Sequence, residues 1–190
     1  MKILNLYAGI GGNRKLWGED IEVTAVENVP EIAKIYQDFF PNDKVIIADA
    51  HQFLLEHYKE FDFIWSSPPC PSHSGCNTFL NAQGIIRYPG MELWQEIIFL
   101  KHFCKVPYCI ENVKSYYKPF LEQQKIGRHF FWCNFNIFGY SGKILKIGRF
   151  GPPKKGRTDE KNKLKRNCVE PEIGKHIFDC AFKEKQEALI

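Results

Sequence analysis

A chain of 190 residues that is 44% hydrophobic and 15% aromatic carries enough apolar side chain to close one folded core, which excludes a disordered segment. No apolar run approaches the length of a membrane span, and the stretch from Ile3 to Ile10 is broken by Asn5 and runs into glycines without a cleavage pattern, so neither a span nor a signal peptide is expected. The net charge of +4 hides an asymmetry: residues 139–166 hold ten Lys/Arg against Asp159 and Glu160, so that segment is +8 and the remainder is −4.

Such a segment suggests an acidic partner, nucleic acid first, although a solvated basic loop explains the charge equally well. Seven cysteines, an odd number with no C-x-x-C pair, argue against a disulfide framework and a zinc site. Reduced thiols in a cytoplasmic compartment and no bound metal are the simplest expectation.

In chain order, residues 2–7 read as a strand and Ala8-Gly9-Ile10-Gly11-Gly12 as a tight turn. Residues 13–19 read as a short helix, and 21–26 as a second strand ending at Glu27. After Pro30, Ile32, Ile35, Tyr36 and Phe39 fall on one helical face. A third strand over 45–48 closes at Asp49, and a helix runs on to about His57. Residues 61–65 are apolar almost throughout, as a buried parallel strand would be. A long loop over 66–90 follows, then a helix over 91–104 with Trp94, Ile97, Ile98 and Lys101 on or near its inner face. A fifth strand over 106–110 ends at Glu111, residues 128–138 are strand-rich, and a last helix spans 171 to about 187. Alternation of strand, turn and helix predicts an α/β fold with a doubly wound, mostly parallel sheet.

In such sheets ligands bind beyond the carboxyl ends of the strands. Gly9, Gly11, Glu27, Asp49, Cys70 and Glu111 all fall there. A glycine turn lets a ligand approach the backbone. An acid ending the second strand can accept ribose hydroxyls, and one ending the third can accept an adenine amino group. Both acids also suit a helix N-cap, Asp49 especially. Cys70 stands out among the thiols because "SSPPCPSHS" (66–74) surrounds it with three prolines at a strand end. Cys104, Cys109, Cys133 and Cys180 are expected to be inert packing, and Cys76 is undecided.

These motifs resemble those of the cytosine-5 DNA methyltransferases. "LNLYAGIGG" (4–12) is similar to the family's motif for gripping S-adenosylmethionine, "ENVP" (27–30) to its ribose motif and "ADA" (48–50) to its adenine site. "SSPPCPSHS" resembles its Pro-Pro-Cys-Gln-x-x-Ser, and "ENV" (111–113) its Glu-Asn-Val. "GRHFF" (127–131) supplies the second arginine of a Gln-x-Arg-x-Arg motif, and "NCVEPEIGKHI" (167–177) resembles the closing Gly-Asn-x-Val-x-Pro motif. The resemblance implies a Rossmann-like S-adenosylmethionine-dependent methyltransferase fold. It implies Cys70, Glu111 and Arg128 as catalytic residues. Tyr7, Gly9, Gly11, Gly12, Glu27, Asn28, Asp49, Ala50, Pro68, Asn167 and Val169 would hold S-adenosylmethionine, with S-adenosylhomocysteine as product. Ser72, Ser74, Asn77 and Arg87, in a loop that closes as a lid, would meet double-stranded DNA together with Lys143, Lys146, Arg149, Lys154, Lys155 and Arg157.

Three departures follow. Pro71 replaces the glutamine after the cysteine, Ile126 stands where the first arginine of the motif beginning at Gln124 is expected, and Arg166 precedes Asn167 in place of glycine. The family's target-recognition domain has no room here. The implied organisation is a catalytic region over 1–138, a basic Gly/Pro/Lys arm over 139–166 and a closing motif with helix over 167–190. A basic arm that grips phosphates would give a short or relaxed target sequence. Alternatives are methylation of tRNA, or a split enzyme needing a protein partner for target recognition. The compact size fits a bacterial or phage-borne enzyme.

Overall fold

The computed structural model describes residues 1–142 and 168–183. Lys143, Lys146, Arg149, Lys154, Lys155, Arg157 and Asn167 therefore lie outside the described residues, as does the end of the last helix beyond residue 183.

Among the described residues seven strands form one sheet: β1 (Lys2–Leu6), β2 (Glu22–Glu27), β3 (Lys44–Ile47), β4 (Phe63–Ser66), β5 (Tyr108–Val113), β6 (Gln124–Ile126) and β7 (His129–Cys133). Their order is β3-β2-β1-β4-β5-β7-β6. The first five pair in parallel, and β7 runs antiparallel to β5 and to β6. This is a doubly wound, mostly parallel sheet, as the alternation of strand and helix predicts. Among the described residues five helices accompany it: α1 (Pro30–Phe39), α2 (Ala50–His57), α3 (Asn77–Ala82), α4 (Glu92–Phe103) and α5 (Pro171–Phe182).

The central strands explain the layering. Every residue of β4 is buried, as a strand covered on both faces must be. Leu4, Leu6 and Ile64 pack toward Leu54 of α2 and Leu93, Ile97 and Leu100 of α4. Ile3, Phe63 and Trp65 point the other way, onto Trp17 and onto Ile173, Ile177 and Phe178 of α5. Alternation along the strands produces the two cores. The Trp17 indole donates to the Gly174 carbonyl at 3.2 Å and stacks on Phe178 at 5.3 Å, which fastens α5 to the sheet.

Five sequence expectations shift. Residues 13–19 form only a 3-10 turn at Arg14–Leu16. Arg14 is buried there, bonds both oxygens of Asp43 at 3.0 and 3.1 Å and donates to the Gly18 carbonyl, which turns the chain before a full helix can form. In α1, Phe39 is exposed, while Ala33 and Tyr36 face inward. Phe40, just past the helix end, supplies the ring against Tyr36. In α4, Ile98 and Lys101 face outward and Leu93, Trp94, Glu96, Ile97 and Leu100 face inward. The long loop after β4 contains α3, and of the strand-rich segment over 128–138 only β7 is a strand, paired in a hairpin with β6, which precedes that segment, through Gly127 at φ +58°.

Candidate active site

The strand order reverses between β1 and β4, so the segments leaving these two strands diverge and open a cleft at their carboxyl ends. On one side of it lies the turn after β1. Gly11 N donates to the Ala8 carbonyl, and Ala8 N to the Val26 carbonyl, which curls residues 8–11 over the end of β2. Glu27, buried at that end, accepts from Gly9 N at 3.0 Å and from Val29 N at 3.1 Å. Asp49 caps α2 by accepting from Gln52 N at 2.8 Å, so its N-cap role is real. Each acid retains lone pairs for hydroxyl or amino donors. Asn28 is exposed next to Glu27, and Ala50 is buried under the cap.

Gly12 is the point of this turn that packs against the chain's own C-terminal segment. A Cβ there would lie 2.7 Å from the Val169 carbonyl and 2.7 Å from Cys168 Cβ. The start of the closing motif thus lies directly on the glycine turn. The Val169 side chain itself packs in the core with Trp17 and Ile173. Tyr7, at the mouth of the turn, holds the left-handed φ of +52°, a conformation that costs a non-glycine residue of order 1 kcal/mol. Its hydroxyl donates to Glu96 Oε1 at 2.7 Å, which offsets part of that strain.

On the other side stands the thiol. Pro68 is buried, and its carbonyl accepts from Asn112 Nδ2 at 2.9 Å. This one bond ties the Pro-Pro-Cys segment to the Glu-Asn-Val of β5. His73 N and Ser74 N both donate to the Cys70 carbonyl at 3.0 Å, so the cysteine opens a tight turn and its half-buried side chain is held at the cleft. Burial, reinforced by the Glu111 charge, pushes the thiol up, and the Arg128 guanidinium opposes this.

Glu111 is buried, and its carboxyl is pushed up to about 7, first by burial and then by Glu170, against a Ser67 hydrogen bond and the charge of Arg128. His129, also buried, places Nδ1 3.7 Å from Glu111 Oε1 and 4.0 Å from Glu170 Oε2. Burial and Arg128 push this imidazole down to about 3, so it is neutral. Arg128 Nη2 donates to the Cys168 carbonyl at 3.4 Å, and Nε lies 3.9 Å from Glu170 Oε1. A thiol, a carboxyl poised at about 7 and a guanidinium thus act on one another beyond the strand ends. That set suits attack on an electron-poor ring with protonation of a ring nitrogen.

The residues expected of a lid are engaged differently from one another. Asn77 is buried and donates to the Pro71 carbonyl at 2.8 Å. Ser72 Oγ accepts from Gly90 N at 3.1 Å, and Ser74 Oγ from Cys76 N at 3.3 Å. These three brace the loop from within, while Arg87 and Pro71 are exposed on it. Both positions of the arginine motif that depart from, or precede, the arginine serve the hairpin. Ile126 is buried in the core, and Gln124 bonds the Phe135 carbonyl at 2.8 Å and Ile137 N at 2.6 Å.

Sequence reasoning passed over Glu96, His51, Ser67, His129 and Glu170. Glu96 left one signal, a lone acid at an inward position of α4. Glu170 left none, since an acid before a Pro-started helix reads as an ordinary cap.

The sequence matches the family described as C-5 cytosine-specific DNA methylase over residues 1–154, and the chain belongs to that family. It is a DNA cytosine-5 methyltransferase by that membership. No curated protein matches it. Among solved structures it is similar to a hypothetical protein of Thermus thermophilus, with 19% identity over 70% of this chain and 73% of that one and a TM-score of 0.43. It is also similar to a DNMT2 mutant of Spodoptera frugiperda, with 29% identity over 60% of this chain and 35% of that one and a TM-score of 0.43. A putative DNA modification methyltransferase from an Escherichia coli prophage shares 17% identity over 62% of this chain and 33% of that one, at a TM-score of 0.42. No helix among the described residues is long and apolar enough to cross a membrane.

Proposed function

We propose that the chain methylates C5 of cytosine in double-stranded DNA through a covalent Cys70–C6 intermediate, on a base flipped out of the duplex. The observation that carries this is the bond from Asn112 to the Pro68 carbonyl. It holds the strand of Glu111 against the turn of Cys70, beside the glycine turn. The glycine turn, where a Cβ on Gly9 would meet only the Tyr7 carbonyl at 4.0 Å so that the backbone lies open to a ligand, together with the acceptors Glu27 and Asp49, fits the adenosine part of S-adenosylmethionine. That molecule supplies an electrophilic methyl group and leaves as S-adenosylhomocysteine.

A cytosine must leave the stack for a thiol at the floor of a cleft to reach C6. Cys70 loses its proton and forms the S–C6 bond, while protonated Glu111 hydrogen-bonds or protonates N3 and takes up the electron demand. Arg128 lies against O2, where charge develops. C5 then carries the electron pair and takes the methyl group. Removal of the C5 proton by a base, water included, expels Cys70 and restores the aromatic ring. The prolines fix the thiol's approach before the reaction, so little ordering is left for the transition state. The basic arm, with Lys143, Lys146, Arg149, Lys154, Lys155 and Arg157, is proposed to grip phosphates, which gives register without a base code.

DNA carrying 5-fluorocytosine tests this directly, because fluorine at C5 blocks the last elimination. With S-adenosylmethionine present, the wild-type chain is expected to stay covalently attached and Cys70→Ala to leave no adduct. A wild type that forms none, or an adduct that survives Cys70→Ala, refutes the assignment. Labelled methyl transfer to tRNA in place of DNA would overturn the substrate.

A further inference from the structure

Outside the groups assigned to the base and the methyl donor, one carboxylate joins the segments that carry them. Glu96 of α4 is completely buried. Its Oε1 accepts from the Tyr7 hydroxyl at 2.7 Å and lies 3.1 Å from His51 Nδ1, and its Oε2 accepts from Ser66 Oγ at 2.6 Å. Tyr7 leads from β1 into the glycine turn, His51 lies in the first turn of α2 two residues after Asp49, and Ser66 ends β4 four residues before Cys70. Three chain segments therefore take their positions from one side chain that has no freedom to swing.

A carboxylate taken wholly out of water needs its lone pairs filled and a compensating charge close by. The hydroxyls of Tyr7 and Ser66 fill lone pairs but carry no charge. His51 is placed to supply it. The groups facing this imidazole are Glu96 and Glu92 of α4, Asp49 at the start of α2 and the phenol of Tyr7, all acidic or neutral. Because Glu96 only accepts, the 3.1 Å contact requires the proton on Nδ1.

We propose that Glu96 and His51 form a positioning pair for the methyl donor: the protonated imidazole compensates the buried carboxylate, and the carboxylate holds Tyr7 and the first turn of α2 where the adenosine must dock. The pair touches no reacting atom. It rests on the reading that this strand edge binds S-adenosylmethionine. The hydrogen bond to Glu96 is also the first cause that holds the His51 proton on, raising the group above its usual range. A raised imidazole keeps its contribution at low pH and loses it as the pH climbs through its titration. Beyond that point Glu96 lacks its counter-charge, and donor affinity falls.

Calorimetric titration of the full chain with S-adenosylhomocysteine tests the pair between about pH 6 and 9. Wild-type affinity is expected to fall about tenfold across that range, the size of one charge-assisted contact. His51→Gln is expected to bind more weakly at the acid end and to show no such slope. Tyr7→Phe, which removes one bond but not the charge pair, is expected to bind more weakly with the slope intact. A wild-type slope in His51→Gln overturns the proposal, as does wild-type affinity in Glu96→Gln accompanied only by a lower Tm. If Glu96→Gln fails to fold, the two other variants still decide. Failure of the wild type to bind S-adenosylhomocysteine at any pH would instead overturn the cofactor reading beneath it.

Discussion

The two sides of the cleft are built on opposite electrostatic plans. On the donor side, acids sit at strand ends and are satisfied by backbone: Glu27 by Gly9 N and Val29 N, Asp49 by Gln52 N. On the thiol side, charge and burial are left in tension. Glu111, His129 and Glu170 crowd together at 3.7 to 4.0 Å, and both oxygens of Glu170 and Nδ1 of His129 lack a hydrogen-bond partner among the described residues. A site that must only bind can be relaxed in advance. A site that must move a proton needs groups whose ionisation is poised, and crowding in a dry place does this.

If that contrast holds, substitutions on the thiol side should strike chemistry and spare donor binding. Glu111→Gln is the strongest case, with kcat expected to fall by about 10²- to 10⁴-fold in a methyl-transfer assay. Its affinity for S-adenosylhomocysteine should stay at the wild-type level, and a parallel loss of affinity would dissolve the distinction. The same group sets the pH profile. If protonated Glu111 and the Cys70 thiolate act together, the wild-type rate should rise with pH up to about 7 and then level off, because further loss of the Glu111 proton offsets the gain in thiolate from a thiol pushed above its usual range.

Donor-side changes should act in reverse. Gly12→Ala drives a methyl group into the Val169 carbonyl and Cys168, and is expected to cost about 1–3 kcal/mol of stability with loss of donor affinity, read by thermal melts and calorimetry. The smallest effect separates the two roles of Asp49. Asparagine caps a helix about as well, so Asp49→Asn should change stability by less than about 0.5 kcal/mol. A drop in affinity for S-adenosylhomocysteine at unchanged Tm would assign the carboxylate to the ligand. No change in either would leave it a cap alone.

Much of this was legible in the chain itself. Hydrophobic period and glycine punctuation placed five parallel strands to within about three residues at each end, most plainly β4, which is buried on both faces and apolar almost throughout. The strand-end residues Gly9, Glu27, Asp49, Cys70 and Glu111 were legible for the same reason: in a doubly wound sheet, topology alone brings carboxyl ends together. The family motifs then pointed to the chemistry.

Tertiary structure decided what pattern could not encode. That Asn77, Ser72 and Ser74 brace their own loop depends on the path of α3, a helix too short to leave a periodic signal. That Ile126 and Gln124 belong to the hairpin depends on β6 pairing with β7. Above all, Glu96 with Tyr7, His51 and Ser66, and Glu170 with His129 and Arg128, are contacts between residues distant in sequence. Local propensity dictates elements and their ends. Which buried charges meet is set only when those elements pack, since a carboxylate's environment is made by segments it has no sequence relation to.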